Sequence, residues 1–108
     1  MAIGDHHEWH STSYVDEWIK DADAHDAQRR PLLHRAAGLL PFASDTAIWV
    51  LDVGGGYGQF SAEVLATFPR ARVCLQDYSV PMVERARQRL AQFGDRVEYR
   101  VCDLRDSD

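Results

Sequence analysis

The run Ile48-Trp49-Val50-Leu51-Asp52-Val53-Gly54-Gly55-Gly56-Tyr57-Gly58 passes from mostly apolar, partly β-branched residues straight into glycines. Behind the glycines Phe60, Val64, Leu65 and Phe68 recur at helical spacing. The order predicts a strand, a tight loop and a helix. Glycine suits the loop for two reasons. The chain must reverse from strand into helix, and a side chain there would hold a ligand away from the backbone amides at the helix start.

The glycine spacing narrows the chemistry. A dinucleotide fingerprint, G-x-G-x-x-G, would place its third glycine where Gln59 stands. The chain has G-x-G-x-G, with Asp52 two residues ahead of Gly54. On Asp52, Gly54, Gly56 and Gly58 the sequence resembles the S-adenosylmethionine-dependent methyltransferases of the Rossmann-like class. That cofactor has no pyrophosphate for a helix terminus to hold; it has an amino-acid tail, a sulfonium, a ribose and an adenine. The spacing opposes a nicotinamide-binding oxidoreductase.

Two further strand ends extend the resemblance. Arg72 to Asp77 predicts a second strand, and its terminal Asp77 lies 23 positions after Gly54. An acid about twenty residues beyond the first glycine sits where it can accept from the ribose hydroxyls. Ser79 is a candidate helix cap, with Pro81 in the first turn, Val83, Ala86, Leu90 and Phe93 as a buried face, and Gly94 as the C-terminal cap. Val97 to Cys102 predicts a third strand, followed by Asp103 and Leu104. The resemblance implies that Asp103 accepts from the adenine amino group, that a backbone amide beside Leu104 reaches a ring nitrogen, and that Tyr78 forms a shelf against one adenine face. For Tyr78, simple packing is the competing reading. The wording Asp-Val-Gly-Gly-Gly-x-Gly, with Pro69 and Asp77 downstream, is similar to small-molecule O-methyltransferases in particular. It implies a small-molecule methyl acceptor.

Ahead of the first strand, residues 1–45 predict a helical cover and residues 46–108 a cofactor-binding βαβαβ half. Ser11 or Ser13 is a candidate cap for a helix whose stripe Val15, Trp18, Ile19 and Ala22 reads as core. Arg29-Arg30-Pro31 predicts a break or kink, and Leu32 to Leu40 a second helix ending at Pro41. In the family such a cover can bring an aromatic and an arginine to the cofactor's carboxylate. Tyr14 and Arg29 or Arg30 are the candidates, against the plainer reading of a packed tyrosine and solvated arginines. His6, His7 and His10 read as a solvated terminus rather than a metal site, and His25 and His34 as solvated or packed. No residue is assigned as a general base.

Composition sets the outer bounds. With 108 residues, 45% of them hydrophobic, the chain is one domain at most. A formal charge of -5 argues against a broad nucleic-acid surface. No apolar run approaches the ~18 residues of a membrane span, and no signal peptide is legible, so the expected compartment is the cytoplasm. Cys74 and Cys102 read as buried free thiols. The expected fold is α/β and Rossmann-like, with parallel strands in the order 3-2-1 and helices on both faces. The carboxyl edge is expected to gather Asp52, Asp77 and Asp103. The resemblance stops at the midpoint of the family's sheet. The chain therefore reads as the cofactor-binding part of a larger enzyme. The alternative is a complete, noncatalytic S-adenosylmethionine or nucleoside-binding module. Strand 1 is expected at an edge, where self-association can occur.

Overall fold

Ser11, in extended backbone, accepts from the Tyr14 amide at 3.3 Å and so starts α1, Thr12–Ala24. The structure is a computed structural model, in which residues 8–102 are described. Helix α2, Asp26–Gly38, follows after the single residue His25. The helix break therefore falls at His25, and α2 runs through Pro31, so that of the break or kink expected there the break does not occur. His25 explains the position. Its Nδ1–H reaches the Asp21 carbonyl at 2.9 Å and closes α1, while its own carbonyl accepts from the Gln28 and Arg29 amides and opens α2. Pro31 forfeits one helical bond, to the Ala27 carbonyl, and contact with the following helix holds α2 together.

Strand β1, Trp49–Val53, leads through the glycines to α3, Gln59–Thr67, which ends with Phe68 as its cap just before Pro69. Strand β2, Arg72–Asp77, leads to α4, Val80–Arg89, and a 3-10 segment, Ala91–Arg96, leads to β3, Val97–Val101. Helix α4 stops earlier than Gly94, the residue expected to cap it. Leu90 is the cap, fully buried, with its amide on the Ala86 carbonyl and its own carbonyl accepting from Phe93. Gly94 instead takes a positive φ of 59° inside the 3-10 segment.

The three strands are parallel in the order β1-β2-β3, with Leu51 opposite Cys74 and Cys74 opposite Glu98. Alternation then sorts the side chains. Val73, Leu75 and Val97 face one way and are buried under Val64, Leu65 and Phe68 of the α3 region and Val83, Ala86 and Leu90 of the α4 region. Trp49, Leu51 and Val53 face the other way and are 73%, 59% and 48% exposed. Among the described residues the helices after β1 and β2 thus cover one sheet face, and the expectation of helices on both faces is corrected. The two crossovers step in the same direction across the sheet, and crossovers of one hand, the rule for parallel strands, then put both helices on the same side. Cys74 and Cys102 are free thiols as expected, but half-buried rather than buried.

Arg96 locks the covered side. It donates to the Leu65 and Phe68 carbonyls at 3.0 and 2.7 Å and to Ala71 at 3.0 Å, satisfying carbonyls at the C-terminal end of α3 with a cation.

Candidate functional site

The carboxyl ends of β1 and β2 meet at the glycine loop. Backbone amides of Gly54 and Gly55 donate to the Gln76 carbonyl at 2.8 and 3.1 Å, so the loop is pinned to β2 as it leaves β1. Gly58, with φ 92°, caps α3, and a Cβ there would come within 2.9 Å of Leu90 Cδ1. Gly55 needs to be glycine for a different reason. A Cβ would sit 2.9 Å from Leu75 Cγ and 3.0 Å from the Asp52 carboxylate, so Gly55 belongs to the motif although the G-x-G-x-G pattern passes over it. Gly54 and Gly56 also take positive φ, 69° and 58°, and both line the clefts described below.

Two carboxylates flank this loop. Asp77 accepts from the Gly56 amide through Oδ2 at 2.9 Å and from the Ser79 amide through Oδ1 at 2.9 Å. Each oxygen has further acceptor capacity. Asp52 accepts from the Ser61 hydroxyl at 2.6 Å, which ties the end of β1 to the first turn of α3. Burial raises the Asp52 carboxyl above the ordinary carboxylate range; the Ser61 hydrogen bond opposes this, and the charge of Asp77 adds to it. The sequence pattern pointed to both aspartates, and the structure gathers them. Asp103 and Leu104 lie outside the described residues.

Two clefts share Trp18, Gly54 and Gly56 as walls, and so adjoin across the loop. The first, about 300 Å³, is closed by Trp9, Asp77, Tyr78 and Met82. The second, about 220 Å³, is lined by Arg29, Asp52 and Gln59 among others. Gln59 is buried and its side-chain amide nitrogen has no hydrogen-bond partner. An orphaned buried donor beside an arginine suits an anionic, hydrogen-accepting ligand end.

The cover completes the site. Trp9 meets Tyr14 edge-on at 5.0 Å and Trp18 at 5.5 Å, and Trp18 meets Tyr57 at 5.7 Å. Val15, Ile19 and Ala22 pack with Tyr57 and Met82, so the apolar stripe of α1 is core as expected, except that Trp18 also faces the clefts. Of the cover residues singled out in the sequence, Arg29 lines the glycine-loop cleft, Arg30 pairs with Asp26 at 2.8 Å, and Tyr14 packs on Trp9. His10 lies edge-on to Tyr78 at 5.2 Å, and His34 faces Glu63 at 3.3 Å. Trp9, Met82 and Gln59 were missed. Their only signal in the sequence is position, Met82 five residues past Asp77 and Gln59 directly after the last motif glycine.

Comparison with known proteins agrees with this geometry. Residues 50–108 match the family model described as a methyltransferase domain. The chain is 37% identical over 89 residues to the trans-aconitate 2-methyltransferase of Azoarcus sp. (strain BH72), covering 82% of this chain but 31% of that protein's length. Among solved structures, it superposes on an O-methyltransferase family protein from Burkholderia thailandensis with a TM-score of 0.72 and 28% identity, over 90% of this chain and 28% of that one. A coclaurine N-methyltransferase bound to N-methylheliamine and SAH shares the fold, at a TM-score of 0.60 and 20% identity over 72% of this chain and 23% of that one.

Proposed function

We propose, from the premise that this chain belongs to the methyltransferase domain family, that it binds S-adenosylmethionine and that the full-length protein transfers the methyl group to a small-molecule acceptor. The observation that carries the reading is Asp77, set at the end of β2 with its two oxygens oriented by the Gly56 and Ser79 amides inside an aromatic-walled cleft. Those amides hold the carboxylate so that its remaining acceptor positions suit a vicinal diol, the ribose hydroxyls.

The remaining residues suit the rest of the cofactor. Arg29 and the Gln59 amide face the cleft beyond the loop and suit the methionine carboxylate. Tyr78 and Met82 supply apolar wall for the adenine, and Asp103 and Leu104 are the candidates for its polar edge. Trp9 and Trp18 supply indole rings whose negative faces attract a sulfonium cation. When bound, S-adenosylmethionine supplies an electrophilic methyl group. The residues of this chain hold the donor, orient it and exclude water, which is where proximity gains its large effect.

Isothermal titration of the full-length protein with S-adenosylmethionine, S-adenosylhomocysteine and NAD tests the reading. The first two are expected to bind and NAD is not. Asp77→Ala is expected to weaken S-adenosylhomocysteine binding by about 1–3 kcal/mol, because the diol loses a charged acceptor. Equal binding by the variant and the parent would place the pocket elsewhere.

A further inference from the structure

Ser79 is fully buried, at 0% exposure, and three of its groups are engaged. Its backbone N–H donates to Asp77 Oδ1 at 2.9 Å. Its Oγ accepts from the Met82 amide at 3.2 Å and caps α4. Its hydroxyl proton goes to the backbone carbonyl of Trp9, 70 residues away in sequence. Asp77, Met82 and Trp9 come from a strand end, a helix and the segment ahead of α1, and all three line the same 300 Å³ cleft.

Capping alone does not require this arrangement. An N-cap needs only an acceptor for the helix amides, and aspartate or asparagine serves as well as serine. What the hydroxyl adds is a donor at the same atom, which an ionised aspartate lacks. Here that donor is directed to the backbone carbonyl of the residue that carries the cleft-lining Trp9 indole. Through its ring contacts with Tyr14 and Trp18, Trp9 in turn meets the helix that forms the cover.

We infer that Ser79 is a positioning residue for the cofactor cleft: its hydroxyl ties the segment ahead of α1 to the cap of α4 and so seats Trp9 in the wall of the cleft that Asp77 also lines. Ser79 acts on the ligand through Trp9, and the inference rests on the reading that this cleft takes S-adenosylmethionine.

The test uses the full-length protein with Ser79→Ala, the nearly isosteric but weakly donating Ser79→Cys, and Ser79→Thr, which keeps donor and acceptor. Ala and Cys are expected to weaken S-adenosylhomocysteine binding roughly 3- to 10-fold, and Thr to stay within about 2-fold of the parent. In a Trp9→Ala background, adding Ser79→Ala is expected to cost less than about 2-fold more, since the two residues act as one unit. Hydrogen exchange without ligand supplies an independent arm. The Ser11 amide, which donates to the Glu8 carbonyl at 2.9 Å, is expected to exchange on the order of ten times faster in the Ala and Cys variants. A lower melting temperature with Ser11 exchange and affinity both unchanged would reduce Ser79 to a helix cap and overturn the inference. Additive losses with Trp9→Ala would overturn the coupling. Failure of the unaltered protein to bind S-adenosylhomocysteine would refute the cofactor reading instead, and the exchange arm would still decide whether the tether exists.

Discussion

The sheet with α3 and α4 is held by one continuous apolar core, whereas α1 is held to it by rings, a small apolar cluster and charges. Leu65, Leu75, Val83 and Leu90 fill the first contact, with the Arg96 cation donating to carbonyls at its edge. At the second, Arg85 binds Asp16, Arg89 binds Asp23 at 2.9 Å, and the Tyr57 hydroxyl donates to Asp23 at 3.3 Å. Burial of apolar area scales with surface removed from water and is little affected by salt, while half-exposed ion pairs are screened. The cleft proposed for the cofactor thus lies between a wall held by apolar burial and a wall held in part by screened charges.

The largest effect should come from the rigid side. Leu75→Ala removes a fully buried side chain between sheet and helices and is expected to cost about 2–5 kcal/mol of global stability, read by denaturant unfolding. A loss confined to amides of α1 would break the comparison.

Tyr57 joins the two regions and gives a pH signature. Burial, reinforced by the charge of Asp23 and opposed by Arg89, pushes its hydroxyl up to about 12 from 10.0. The folded chain therefore keeps a proton that the unfolded chain loses, and the contribution is complete below pH 10 and falls away as pH rises toward 12. Absorbance titration should show late tyrosinate formation by Tyr57 and by Tyr99, which burial also raises against the opposing charge of Arg87. Tyr57→Phe should remove one tyrosine from that late titration and cost about 1 kcal/mol through the lost bond to Asp23.

The smallest change belongs to the charged seam. Arg85 and Asp16 are each more than two-fifths exposed, so Arg85→Ala should alter global stability by less than about 1 kcal/mol. Exchange of α1 amides should nevertheless rise, and the same rise should appear in the parent as salt is added. A salt-independent α1 would show that the rings and apolar stripe alone hold the cover.

Much of this was legible in the chain because short-range chemistry decides it. The strand character of β2 and the caps Ser11 and Ser79 depend on neighbours a few residues away. The glycines and Asp77 were legible for the same reason, since strand, loop and helix follow one another without interruption. The helix break was misplaced because Pro31 is a stronger local signal than His25, and the outcome turned on an imidazole reaching back to one carbonyl.

The sequence by itself determined the strand units, the glycine loop and the placing of Asp52 and Asp77 toward the ends of β1 and β2, since periodicity and backbone permissiveness are written residue by residue. Tertiary structure alone decided which sheet face is covered, that Gly55 must clear Asp52, that Gln59 is left with a buried unpartnered amide, and that Ser79 reaches Trp9. These depend on crossover handedness and on contacts between residues distant in the chain, for which no local pattern of residues carries a signal.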